Sequence, residues 1–286
     1  MTVQILCDSA CDLPKETLES YSVDVLPLRV TIDQEEYEDG EGISPQEIYE
    51  KMRNGKEPKT SQVSPQAFRD RFMHYIQKEQ PFIYFAFSSE LSGTYQTAKM
   101  IEQELKEEHP DAQFQVIDTK AASLGYGLII MRVAELANED RTFEDILEIG
   151  QYHAAHMEHL FTVDDLEYLQ RGGRVSRTAA FVGGLLKIKP LLHMEEGRLI
   201  PLEKIRGSKK VLKRMVELMG ERGNDLENQR VAISHGDDEE AAKQLADMIR
   251  TEFGTKDIHI DMIGSVIGAH AGPGTIALFF LNDTHK

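Results

Sequence analysis

FIYFAFSSELSGTYQTAKM, residues 82–100, decides how this chain is built. The unbroken apolar run from Phe82 to Phe87 suits a strand buried on both faces. It stops at Ser88-Ser89. From Thr94 onward the apolar side chains return at helical spacing, with Ala98, Ile101 and Leu105 on one stripe. A buried strand therefore hands over to a helix through a loop that holds Ser92, Gly93 and Thr94. Such a junction offers free backbone N–H groups and the positive end of a helix dipole, and the two hydroxyls add donors. It is either an oxyanion site or a helix start capped by Ser92.

The same grammar extends in both directions. VQILCDSA reads as a short buried strand, with Asp12 placed to cap a helix that has Pro14 in its first turn. VDVLPLRVTI is a second extended run, followed by an acidic turn. Ser44 and Glu47 form a capping box around Pro45 for a helix closed by Gly55, and Ser64-Pro65 repeats the device. QFQVIDT is another strand, and 121–138 is a largely apolar helix. This alternation predicts parallel βαβ units in an N-terminal α/β domain, residues 1–160.

Beyond that point the pattern changes. KPLLHMEEGRLIPLEKIR predicts a hairpin turning at Glu196-Gly197, and SKKVLKRMVELMGER a helix. QRVAISHG, DIHIDMIGSVIG and GTIALFFLN predict further strands. The expectation for residues 161–286 is an α+β domain with a mixed, mostly antiparallel sheet.

Composition narrows the possible functions. The 286 residues carry a formal charge of −17, which argues against general nucleic-acid binding. The charge is uneven: residues 171–214 hold twelve Lys or Arg against three Glu, a local +9. That segment is either a basic face for a partner or a solvated surface. Cys7 and Cys11 make neither a disulfide framework nor a zinc site. The N-terminus lacks a basic region and reaches Asp8 too early for a signal peptide. The uncharged stretch Met262 to Asn282 is broken by Gly272-Pro273-Gly274, so two buried strands around a turn fit better than a membrane span. A cytoplasmic protein without stable membrane insertion is expected.

Three more motifs are candidates for chemistry. Thr60-Ser61 sits in what reads as a polar loop before a helix. His270 stands in a glycine-rich bend, IGAHAGPGTI. Arg171 and Arg174 flank Gly172-Gly173, and arginine forks suit carboxylate or phosphate. Each also has a plain structural reading. There is no dinucleotide fingerprint, P-loop or nucleophile elbow. His153, His156 and His159 do not share a helical face, and no metal is expected there.

Taken together and in order, DSACDLP, KTSQVSP, SSELSGTYQTA, DDLEYLQRGGRVS, KIRGSKKVL and GAHAGPGT resemble the DegV family of bacterial fatty-acid-binding proteins that serve fatty-acid kinase. The similarity covers essentially the whole chain. Val63 departs from the common TSQP form. The resemblance implies two domains with one long acyl chain bound between them. It implies that Thr60, Ser61, Ser92, Gly93 and Thr94 meet the carboxylate, with His270 and Arg206 completing the network. It implies no cofactor and no chemistry by this chain alone: the acid is presented to a separate ATP-dependent kinase, and the acyl phosphate is carried toward phospholipid synthesis. The apolar helix 121–138 and AAFVGGLL are candidate tunnel walls. The basic segment, through Arg171, Arg174, Lys187 and Lys189, is the candidate kinase-docking face. Two alternatives stay open: a serine hydrolase using Ser92 and His270, and a carrier of a small polar phosphorylated metabolite.

Overall fold

The parallel core expected from residues 82–100 is present. The computed structural model describes residues 2–175 and 188–285. In chain order the first part holds β1 (Gln4–Asp8), a 3₁₀ turn (Ser9–Cys11), α1 (Lys15–Ser20), β2 (Asp24–Leu26), β3 (Arg29–Ile32), β4 (Glu35–Glu38), α2 (Pro45–Arg53) and β5 (Lys59–Ser61). Then come α3 (Pro65–Gln77), β6 (Phe82–Ala86), α4 (Thr94–Glu108), β7 (Phe114–Asp118), α5 (Ser123–Asn138), α6 (Phe143–His156) and β8 (Met157–Thr162). The rest comprises α7 (Glu167–Arg171), β9 (Ile188–Glu195), β10 (Arg198–Arg206), α8 (Ser208–Arg222), β11 (Arg230–His235), α9 (Glu239–Phe253), β12 (Asp257–Met262), α10 (Ser265–Ala271) and β13 (Ile276–Leu281).

Strands β2-β1-β6-β7 form a parallel sheet. The chain leaves β1 toward β2 on one side and reaches β6 and β7 on the other. The β1/β6 boundary is thus the point where strand order reverses, and a crevice opens beyond the strands' carboxyl ends. Asp8 fixes that end. Its carboxylate accepts from the Tyr84 hydroxyl (2.7 Å), the Phe87 N–H (3.0 Å) and the Ala10 N–H (3.2 Å), and its own N–H donates to the Tyr126 hydroxyl (3.0 Å). Burial outweighs these bonds and raises the Asp8 pKa to about 6.

A six-stranded sheet, β10-β9-β8-β13-β11-β12, is antiparallel except for the β11–β12 pair. Its side chains alternate between two cores, as strand geometry demands. Leu160, Leu191, Ile276, Leu278 and Phe280 pack with residues of α8 and α9 in one cluster. Phe161, Leu192, Ala277 and Phe279 join the larger core that also contains the parallel sheet. A small antiparallel sheet, β4-β3-β5, completes the described fold.

Several expectations are corrected. VDVLPLRVTI is not one strand: β2 and β3 belong to different sheets. Pro27 has no N–H to continue a ladder, and the Leu28 N–H donates instead to Ser9 Oγ at 3.1 Å. Thr60-Ser61 lies in β5, paired with Val30 and Arg29, rather than in a loop. Asp12 does not cap α1, which begins without a side-chain cap. It sits buried in the left-handed region at φ 54° and accepts from Ser123 Oγ at 2.5 Å. The stretch around His270 is a short helix, α10, rather than a bend between two strands. No described helix is long and apolar enough to cross a membrane.

Candidate functional site

The loops leaving β6 and β7, the inner face of the six-stranded sheet, β5 and α10 enclose a cavity of about 380 Å³. That is within the roughly 300–1,000 Å³ usual for ligand pockets. Strand alternation points Ala277 and Phe279 from β13, and His159 and Phe161 from β8, into it, and Thr275, just before β13, continues the same wall. Thr275 and Phe279 are four residues apart, so this wall runs for about 13 Å. From the parallel sheet's side come Phe87, Leu91, Ala122 and Ser123.

The polar groups gather at the Thr275 end. Thr60 Oγ1 lies 2.6 Å from His270 Nε2, which joins β5 to α10. Gly172 packs so closely on the other ring nitrogen of His270 that any side chain there would collide with it. Burial, and secondarily the neighbouring Arg174 charge, lower the His270 pKa to about 4, so the imidazole is neutral at pH 7. Ser92 Oγ accepts from the Thr94 N–H (3.2 Å) and lies 2.8 Å from Thr94 Oγ1. Gly93, exposed, precedes α4, which has no side-chain cap. Gln62 lies across Gly93 and donates to Thr97 Oγ1 at 2.8 Å. Ser61, Gln62 and Gly93 are exposed, so the polar end is also the mouth.

Arg174 lines the same end. Its Nε donates to the Leu91 carbonyl (3.0 Å) and its Nη1 to the Gly172 carbonyl (2.5 Å). Burial pushes its pKa below the ordinary arginine value. Among the described residues no carboxylate pairs with it: Arg171, three residues earlier, pairs with Glu57 and Glu167, but Arg174 has carbonyls only. A half-buried cation that lines a cavity without an acidic partner among the described residues can receive an anion.

The remaining expected site residues fall as follows. Thr60, Ser61, Ser92, Gly93 and His270 line the cavity, and Thr94 is buried directly behind Ser92. Arg206 is exposed at the end of β10 and is not part of the lining. Arg171 is exposed, and Lys189 pairs with Asp164. Lys187 and AAFVGGLL lie outside the described residues. Of the 121–138 segment only Ala122 and Ser123 reach the cavity; most of the others are ordinary core.

His159 is a wall residue that the sequence did not announce. Its Nδ1 donates to the Met157 carbonyl (3.1 Å) and its Nε2 accepts from the Ala122 N–H (3.2 Å), which fixes the neutral tautomer. Burial lowers its pKa to about 4. With both nitrogens occupied, the ring serves the cavity as an apolar surface. The available signal was the two-residue alternation of 157–162, which puts His159 on the face of Phe161.

The pairing a serine hydrolase needs is not formed, because His270 meets Thr60 while Ser92 meets Thr94. No cluster of three or more metal-ligating side chains occurs among the described residues.

Known proteins resemble this chain along nearly its whole length. A family model described as "Uncharacterised protein, DegV family" matches residues 2–283. A DegV domain-containing protein of Clostridium perfringens is 41% identical, covering 99% of this chain and 98% of its own length. A protein of Thermotoga maritima named fatty acid-binding protein is 35% identical, over 96% of both chains. The solved structure of a DegV family protein from Thermus thermophilus, described by its fatty acid binding, superposes with a TM-score of 0.89 at 32% identity, covering 98% of this chain and 99% of that one.

Proposed function

The chain belongs to the DegV family, and from that premise we propose that it binds one long-chain fatty acid in the 380 Å³ cavity, carboxylate at the Thr60–His270 end and tail along β8 and β13. The observation that carries this reading is Arg174, a half-buried cation facing the cavity without an acidic partner among the described residues. A carboxylate supplies the missing charge. Its two oxygens accept about four hydrogen bonds. Ser92, Thr60 and the Gly93 amide are the proposed donors. A neutral His270 protonated on Nε2 donates to Thr60 Oγ1 and leaves the Thr60 proton for the ligand. Roughly fifteen buried methylenes at about 0.8 kcal/mol each give on the order of 12 kcal/mol gross, before ordering costs. The tail thus dominates affinity, and the polar end sets direction and discriminates acid from neutral lipid.

We further propose that this chain does no chemistry alone. In the cytoplasm it presents the carboxylate through the mouth at Ser61, Gln62 and Gly93 to a separate ATP-dependent fatty-acid kinase, and it carries the acyl phosphate onward. Arg206, exposed and outside the lining, would then serve the phosphorylated head group at the mouth. The basic segment 171–214 is the proposed docking face, without Arg174, whose half-buried guanidinium lines the cavity and not the outer surface.

Native mass spectrometry of freshly purified protein tests the binding reading. A copurified mass equal to that of a long-chain fatty acid, reduced in Arg174→Met, is the expected result. A clean ligand-free mass together with uptake of a small phosphorylated metabolite would overturn it. Reversing Arg171 and Lys187 to Glu should weaken kinase coupling without weakening lipid binding.

A further inference from the structure

The cavity is closed opposite its mouth by the β9–β10 hairpin. Met194 and Leu199 face each other across that hairpin and both line the cavity. In register, β9 sets His193 beside Leu160, so Met194 comes next to His159, at the Phe279 end of the wall. Outside the hairpin lies a cleft of about 630 Å³ with Lys99, Lys120, Glu158 and Glu195 on its walls. Among the described residues Met194 is the one that lines both spaces.

The backbone carrying Met194 is held firmly. Ser88 Oγ donates to the Gly197 carbonyl at 2.9 Å, and Arg198 Nε donates to Glu90 at 2.8 Å. Gly197 turns at φ 81°, and a Cβ there would lie 2.6 Å from Ser88 Oγ, so the tip sits tightly against the β6 loop. The side chain is another matter. Methionine has three rotatable bonds and a polarizable thioether, and it changes rotamer at low cost. The far end of the cavity is therefore a rigid frame filled by a soft plug.

Resting on the fatty-acid reading above, we propose that Met194 is the residue that sets acyl-chain length: chains that fit end against it, and longer chains turn it aside and run into the outer cleft. Each methylene sheltered from water is worth about fourfold in affinity. A soft plug flattens that gain near the limit without imposing a sharp cut-off. The cleft beyond is polar, so chain that reaches it gains less than chain inside.

The test is competition binding of saturated acids from 12 to 22 carbons to delipidated wild type, Met194→Ala, Met194→Phe and Met194→Ile, each checked for an unchanged melting transition. In Met194→Ala the 20- and 22-carbon acids should gain several-fold relative to the 16-carbon acid. In Met194→Phe the acids of 18 carbons and more should lose about tenfold, with the 14-carbon acid nearly unaffected. Met194→Ile, which suits a strand and stiffens the wall, should sharpen the cut-off and is the arm available if alanine fails to fold. Wild-type length profiles in all folded variants overturn the assignment of Met194 while leaving the binding reading intact. A wild type that binds none of these acids overturns both.

Discussion

Replacing Arg174 by methionine should remove the preference of the cavity for an acid while leaving its apolar walls in place. Methionine keeps most of the arginine stem and loses the fork. That fork holds the Leu91 and Gly172 carbonyls and has no carboxylate among the described residues. A hydrogen bond to a charged group contributes about 1.5–3 kcal/mol, so losing the contact with a bound carboxylate should weaken fatty-acid binding by about 10- to 150-fold. The variant also frees two backbone carbonyls, and a general loosening of the site would lower affinity for any ligand. The assay therefore compares a fatty acid with its methyl ester by displacement of a fluorescent lipid. Wild type should favour the acid strongly, whereas Arg174→Met should bind acid and ester nearly alike, with the ester affinity changed by less than about threefold. An equal drop for both ligands would mean that Arg174 only braces the loops. An unchanged acid affinity would mean that the carboxylate lies elsewhere.

Thr60→Val removes a hydroxyl at the His270 contact, and acid binding should fall about five- to tenfold by titration calorimetry, the scale of one hydrogen bond. Gly93→Ala places a methyl against the Gln62 carboxamide and should weaken binding, and the double variant Gln62→Ala/Gly93→Ala should recover most of that loss if the cause is steric. His159 is held neutral with its pKa near 4, below its unfolded value, so its contribution to stability is full above about pH 6.5 and declines as the pH falls toward 4. Between pH 7 and 5 this amounts to about 2 kcal/mol at most. His159→Gln should accordingly show a smaller loss of thermal stability over that interval. Asp8 and Asp39, both raised to about 6 by burial, act in the opposite sense but are common to both proteins, so the difference between them isolates His159.

The parallel sheet was legible because its strands are buried on both faces and read as continuous apolar runs, Phe82–Ala86 above all. The junction at Ser92-Gly93-Thr94 was legible because a strand, a loop and a helix follow one another within a few residues. The helix around His270 was not. Its stretch has no charged side chain to reveal a polar face, its seven residues make barely two turns, and glycines bracket it. Arg174 was visible as a motif residue, but nothing local distinguished it from Arg171. Their difference is tertiary: Glu57 and Glu167 take one, and the cavity takes the other. The walls from β8 and β13 are brought together by a pairing across more than a hundred residues, which periodicity alone does not encode.

The six-stranded sheet also separates two kinds of evolutionary freedom by parity of position. On β8 and β13 the odd-numbered residues 159, 161, 277 and 279 line the cavity, and the even-numbered 160, 278 and 280 hold the helices of the far layer. A lineage can drift at the first set to accept other lipids while selection at the second set keeps the scaffold standing. Relatives with different cargo should therefore vary in register with the pleat, every second residue, and a randomised library confined to those odd positions should return folded proteins with new ligand preferences.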